Sequence, residues 1–194
     1  MKILRGCYKG VEVVSPDESG VRPTVDHFKK HILRFFAETS SKVVWDLFCG
    51  SGGVGLELLS NGARAAVFVD QLKKAVSCVN LNSSQCGLKD PQTFASQEVK
   101  IVTSSVENFL KAPANFGVDT RPDFIFMDPP YGQNWMNKIP NLLKVCPLVD
   151  DDTLILAEHV AEDPLPEGET LFRVKQEIYG PKILTAFSLK LRRP

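Results

Sequence analysis

The ten residues Asp46-Leu-Phe-Cys-Gly-Ser-Gly-Gly-Val-Gly55 restrict the possible folds more than any other stretch of the chain. Val43, Val44, Trp45, Leu47 and Phe48 form a short apolar run of β-favouring side chains, the pattern of a strand covered on both faces. Gly50, Gly52, Gly53 and Gly55 end that run and let the backbone turn tightly and approach a ligand closely. The amphipathic Val54–Ser60 then opens a helix whose amide-rich end faces the same ligand. A polar or anionic group is expected here, with Phe48, Gly50, Ser51, Gly52 and Gly55 around it.

The same glycines satisfy the G-x-G-x-x-G pattern of dinucleotide sites, so a nicotinamide dinucleotide and S-adenosylmethionine both fit. Two acids favour the methyl donor. Asp46, at the strand end, can meet the amino group of a methionine moiety, and Asp70, which ends the next strand, can bind both ribose hydroxyls. An acid at that distance also reads the ribose in dinucleotide sites, so Asp70 supports a nucleoside ligand of either kind. Glycines that serve only close packing of helix on strand are the alternative, and four within six residues argue against it.

A chain of 194 residues can bury the core of one α/β domain and is short for two. One domain over residues 1–194 is expected, with residues 1–40 as a hairpin-plus-helix extension. The composition, 43% apolar and 24% charged, is that of a soluble globular protein, and no apolar run approaches a membrane span. The first residues lack the apolar core of a secretory signal, which predicts a cytoplasmic protein without membrane contact. Five cysteines with no C-x-x-C pair fit neither a disulfide framework nor a paired zinc site, and the histidines have no partners at ligand spacing, so no metal is expected. Cys49 reads as a small filler at the edge of the pocket. Formal net charge is zero, but residues 1–42 hold eight Lys/Arg against five Asp/Glu, leaving the remainder acidic.

In order, Met1–Arg5 and Val11–Val14 read as strands flanking Gly6-Cys-Tyr-Lys-Gly10, a hairpin with an exposed basic and aromatic tip. Lys2, Arg5, Tyr8 and Lys9 there can contact phosphates and stack on a base, or form an ordinary solvated turn. Pro23 forces extension, and Thr24 can cap a helix starting at Val25. On that helix Phe28, Ile32, Leu33, Phe35 and Phe36 face the core, while His27, Lys29, Lys30, His31 and Arg34 form a basic rim. Strands are expected at 65–70, 98–103, 122–127 and 153–157. Helices are expected at 72–86, 106–112 and 135–146, the last interrupted at Pro140, with a loop at 88–97. Alternating strands and helices specify a parallel sheet with its ligand beyond the carboxyl ends of the strands. The runs 170–179 and 183–191, joined by Gly180-Pro181, are too close for a crossover and must pair as an antiparallel hairpin.

Asp128-Pro-Pro-Tyr131 is the sharper motif, because it follows the apolar Phe124–Met127 directly and so ends a buried strand beside the glycine turn. An exocyclic amine is a poor nucleophile while its lone pair is conjugated into a base. The Asp128 carboxylate and the Pro129 carbonyl can hold its N–H groups and favour a pyramidal nitrogen aimed at a methyl sulfonium. Pro129 and Pro130 stiffen the loop and remove competing donors, and Tyr131 can stack on an extruded base. A plain surface turn is the alternative.

Taken together, Gly6-Cys-Tyr-Lys-Gly10, Arg22-Pro-Thr24, Asp46–Glu57, Ser60-Asn-Gly-Ala63, Asp128-Pro-Pro-Tyr131 and Tyr179-Gly180 resemble the RsmD family, bacterial methyltransferases acting on guanine N2 of 16S ribosomal RNA. The likeness runs through almost the whole chain. It implies a Rossmann-like, seven-stranded, mostly parallel sheet with an antiparallel C-terminal hairpin, S-adenosylmethionine as donor, and ribosomal RNA or an assembling small subunit as partner of a monomer. By the same resemblance Thr24 and Gln71 join the donor site, as do Ser105 and Val106, with Ser105 in place of an acid or amide at the adenine amino group. Arg5, Lys9, Arg22, Lys29 and Lys30 become the candidates for RNA contact, Lys29-Lys30 standing where the family usually has an Arg-Glu pair.

Two other readings compete. One keeps the chemistry on another amine, adenine N6 in DNA or a protein glutamine; the other is a non-catalytic nucleotide-binding module. A module needs no rigid acceptor pair at Asp128, a DNA enzyme ordinarily needs more chain, and glutamine methylation typically uses Asn at that position.

Overall fold

The structure, a computed structural model, describes residues 1–16, 26–36, 38–88, 97–163 and 171–189. Its elements run α1 (Asp26–Phe35), β1 (Val43–Leu47), α2 (Gly53–Ser60), β2 (Ala65–Asp70), α3 (Lys73–Gln85), β3 (Glu98–Thr103), α4 (Val106–Lys111), β4 (Phe124–Met127), α5 (Trp135–Val145), β5 (Leu154–Val160), β6 (Phe172–Tyr179) and β7 (Lys182–Ser188). The strands form one sheet in the order β3-β2-β1-β4-β5-β7-β6, with β7 antiparallel to β5 and β6. Order reverses between β1 and β4, and in open α/β sheets ligands bind at such a switch point.

Register decides which face each side chain takes. Asp46 pairs with Phe68 and Phe126, Met127 with Ala157, and Glu158 with Leu184. With side chains alternating along a strand, Asp46, Asp70, Asp128, Glu158 and Lys182 therefore share one face. Below them lies an apolar layer of Phe68, Phe126, Leu156 and Leu184, covered by Ile32 of α1 and Phe36 just after it, the leucines of α2 and Val79 of α3. The opposite face packs Trp45, Ile125 and Ile155 against Phe109 of α4 and Ile139 and Leu143 of α5.

Most boundaries match expectation; the differences have local causes. Helix α5 runs unbroken through Pro140, and β5 reaches Val160 instead of ending at Ala157. The polar Glu158 and His159 look like a strand end in sequence. In the fold both are buried, Glu158 against Lys182 of β7 and His159 with Nε2 2.9 Å from Thr185 Oγ1. The expected helix start at Val25, its Thr24 cap, and most of the 88–97 loop lie outside the described residues.

The N-terminal hairpin keeps its pairing, with Ile3 N–H on Val11 O at 3.0 Å and Val13 N–H on Met1 O at 2.7 Å, but its ladder is a single Lys2–Glu12 bridge. Its tip is docked on α2. Cys7 N–H donates to Ser60 O (2.9 Å), and a Cβ at Gly6 (φ +81°) would stand 1.7 Å from that oxygen, so only glycine fits. Tyr8, expected as an exposed stacking ring, is half-buried and donates from Oη to Gln97 Oε1 at 2.5 Å. Beneath the hairpin, Glu57 Oε2 accepts Leu4 N–H at 2.8 Å and Oε1 accepts Arg5 N–H at 2.9 Å. Lys29 Nζ lies 3.7 Å from the same carboxylate and donates to Lys2 O at 2.8 Å. Lys29 is 1% exposed, which removes it from the basic rim and from RNA contact: a helix-to-helix ion pair under the hairpin has claimed its charge. His31 is likewise not a rim residue, its ring centroid lying 3.9 Å from that of Tyr179.

Candidate active site

At the carboxyl end of β1 the chain enters a left-handed turn, with φ of 59° at Phe48, 53° at Gly50 and 75° at Gly52. Phe48 is the costly member, because a bulky side chain is seldom found there and such strain concentrates at functional turns. Its ring is held edge-on by Trp135 at 4.9 Å. The turn brings Gly50 N–H onto Asp70 Oδ2 at 3.0 Å, while Asp70 Oδ1 takes Leu72 N–H at 2.9 Å. Asp46, 2% exposed, accepts Gly55 N–H on Oδ2 at 2.8 Å.

These residues open onto a cavity of about 600 Å³, within the range of small-molecule sites. Of the sequence candidates, Asp46, Phe48, Gly50, Ser51, Asp70, Gln71 and Val106 line it on one side, and Asp128, Pro129, Pro130 and Tyr131 on the other. Gly53 and Val54 at the start of α2 also line it.

Three candidates stand elsewhere. A Cβ at Gly55 would come within 2.4 Å of the Phe68 ring, and one at Gly52 within 3.2 Å of Phe68 and Val79. These two glycines serve the turn and its packing and do not line the cavity. Ser105 Oγ accepts Asn108 N–H at 3.2 Å, capping α4. Thr24 and Arg22 lie outside the described residues, while Arg5, Lys9 and Lys30 are exposed.

Electrostatics divide the site. Burial pushes the Asp46 carboxyl up to about 8; the Gly55 N–H opposes this, and the charges of Asp128 and Asp70 add to it. Burial also raises Asp128, with the Glu158 charge beside it adding and the Lys182 ammonium opposing. Cys49 lines the cavity as a buried thiol, held well above its ordinary value by burial and the nearby acids, and so is no nucleophile.

Sequence reasoning missed Trp135, Lys182 and Glu158. Lys182 lines the cavity and pairs with Glu158, which is 0% exposed and accepts Tyr131 Oη on Oε1 at 2.9 Å. The available signal was one acid inside the apolar run Leu154-Ile-Leu-Ala-Glu-His-Val160.

The chain as a whole is similar to known proteins. Residues 1–188 match the protein family described as Conserved hypothetical protein 95. The chain belongs to that family, one of S-adenosylmethionine-dependent methyltransferases. It is 31% identical over 183 residues to YlbH of Bacillus subtilis, which carries the name of an rRNA methyltransferase, covering 93% of this chain and 94% of that one. Ribosomal RNA small subunit methyltransferase D of Escherichia coli K12 is 29% identical over 167 residues, covering 86% and 78%. Among solved structures, the E. coli protein yhhF, named as a methyltransferase, superposes with a TM-score of 0.79 at 24% identity over 99% of both chains, a likeness of fold.

Proposed function

We propose that the chain transfers a methyl group from S-adenosylmethionine to the exocyclic N2 amino group of a guanine in small-subunit ribosomal RNA. The observation that carries this reading is the convergence on one cavity of Asp46 and Asp70 from one side and Asp128-Pro-Pro-Tyr131 from the other. The residues present fit the donor. Asp46 would meet its ammonium, Asp70 its ribose hydroxyls, and the start of α2 at Gly53 and Val54 its carboxylate, while Phe48, Gln71 and Val106 would hold the adenine.

The bound donor supplies a methyl group on a sulfonium, and the protein supplies position. Tyr131 stacks the extruded base, and the Pro129 carbonyl and Asp128 carboxylate accept the two N2–H bonds. The methyl group would take the place of one proton on that nitrogen, the electron pair of the broken S–CH3 bond remaining with the donor's sulfur. The proton lost by nitrogen passes to Asp128 and on to water. An Asp128 carboxyl raised by burial suits that task, since it lies nearer to the operating pH than an ordinary aspartate.

The whole described fold acts as one methyltransferase unit, with residues 1–40 as its extension. RNA enters over the exposed Arg5, Lys9 and Lys30. The relatives' names support ribosomal RNA as the substrate class, and Asp at position 128 supports guanine over a glutamine side chain. Incubating the protein with labelled donor and either naked 16S RNA or small subunits lacking the modification, then digesting to nucleosides, tests the reading. N2-methylguanosine is the expected product. Label in N6-methyladenosine or in protein, or none in RNA, would overturn it.

A further inference from the structure

The acceptor wall contains a buried ion pair to which nothing above gives a role. Glu158, on β5, pairs with Lys182 at the start of β7 and takes the Tyr131 hydroxyl at 2.9 Å. Its other oxygen, Oε2, is buried and has no hydrogen-bond partner among the described residues. An under-satisfied carboxylate is expensive, and a purely structural pair is expected to have its lone pairs filled. Tyr131 is 42% exposed at the cavity mouth, and this hydrogen bond ties the far end of its ring to the sheet. Asp128, the residue after β4, and Glu158 of the adjacent parallel β5 stand one residue beyond the Met127–Ala157 pair.

We propose that Glu158 is the positioning residue of the acceptor side: tethered by Lys182, it holds the Tyr131 ring in its stacking pose and keeps a second negative charge beside Asp128. The inference rests on the methyl-transfer reading for its kinetic part only. Other ionisable groups on this face are Asp46 of β1 and Asp70 of β2, which line the same cavity, and His31 of α1, stacked on Tyr179, the residue opposite Lys182 in the β6–β7 register.

Two consequences separate positioning from mere support. First, Glu158 and Lys182 act on Asp128 with opposite sign. Glu158→Gln removes the negative charge and should lower the titration midpoint of the Asp128 carboxyl; Lys182→Met removes the positive one and should raise it. Carbon-13 NMR of the ligand-free protein reads both midpoints and needs no catalysis, so this arm stands even if the substrate assignment fails.

Second, Glu158→Gln and Tyr131→Phe break one contact from its two ends. Each should lower kcat/KM for the RNA acceptor by about tenfold, the worth of a hydrogen bond to a charged group. Calorimetric affinity for S-adenosylmethionine should stay within about twofold in both. The double variant should be no worse than the poorer single one, because coupled residues fail to add. Glutamine is isosteric with glutamate, and thermal melts check folding; were Glu158→Gln to misfold, the rise in the Asp128 midpoint in Lys182→Met tests the first arm and the kcat/KM loss in Tyr131→Phe the second, and the absence of either would overturn the proposal. Losses that multiply in the double variant, or Asp128 midpoints that fail to move in opposite directions, would overturn the proposal.

Discussion

Two buried acids on the same side of the sheet are treated in opposite ways. Glu57 is met by Lys29 and by the N–H groups of Leu4 and Arg5, so that its charge is answered from three directions. Asp46 receives Gly55 N–H and stands beside two further acids, with its carboxyl pushed up to about 8. The first pattern is how a chain closes a seam, here between hairpin, α1 and α2. The second leaves an electrostatic demand facing a cavity, which is how a chain prepares for a cationic or hydrogen-bonding ligand. Buried charge therefore marks function where its partners are missing.

Removing Lys29 should break the seam outright. Lys29→Ala leaves Glu57 buried without its cation, a change that costs about 3–5 kcal/mol in comparable pairs. Chemical denaturation should report that loss, while the salt dependence of RNA binding by the folded fraction stays unchanged. A stable variant with weakened RNA binding would return Lys29 to the surface role that its sequence suggests.

The opposite result is expected on the site side. Asp128→Ala should lower transfer by about a hundredfold to a thousandfold, the range for deleting one group that contacts the reacting atoms. Stability should hold or rise, since a raised carboxyl is one whose charged form is costly to bury. Donor affinity measured by calorimetry should change little. A loss of donor affinity in step with activity would make Asp128 a cofactor residue.

Asp46 gives the comparison a pH dependence. Its folded pKa of about 8 lies above that of the unfolded chain, so the native state holds the extra proton between about pH 4 and 8. Stability is then fullest below that window and falls as pH rises through it, by at most about 1.4 kcal/mol per pH unit. Asp46→Asn should flatten this slope and stabilise the ligand-free protein at pH 8. Donor binding, which uses the ionised form against an ammonium, should weaken as pH falls below 8 in the parent and not in the variant. Denaturation midpoints across the pH range check the first claim, and calorimetry the second.

The glycine-turn side of the cavity was legible because it is local. Strand β1, the glycine turn and α2 are contiguous, and Asp70 closes the next strand, so a pattern over some 25 residues contains nearly all of it. Asp128-Pro-Pro-Tyr131 was legible for the same reason. Glu158 and Lys182 were not, since their meaning depends on β7 lying antiparallel beside β5, which no local pattern states. Lys29 misled in the same way: on a helical wheel it joins the basic rim, and only the docked hairpin shows that its ammonium is enclosed. Gly52 and Gly55 looked like ligand contacts because a glycine pattern cannot say whether a ring or a ligand demands the space.

The smallest expected effect concerns the surface that remains once Lys29 is withdrawn. Arg5, Lys9 and Lys30 are exposed in the N-terminal segment, which holds the chain's excess of positive charge. Contacts of this kind fix a phosphate backbone and carry little sequence information. Each one lost from a single-stranded site flattens the log–log salt dependence of binding by about 0.7. Lys9→Ala with Lys30→Ala should therefore reduce the slope by about 1.4, weaken RNA binding most at low salt, and leave donor affinity as it was. Titration of the double variant at several salt concentrations checks this, with Lys29→Ala as the contrasting control. An unchanged slope would assign the hairpin and α1 entirely to the seam, and the RNA would then have to approach over the β6–β7 side of the cavity, where Lys182 stands.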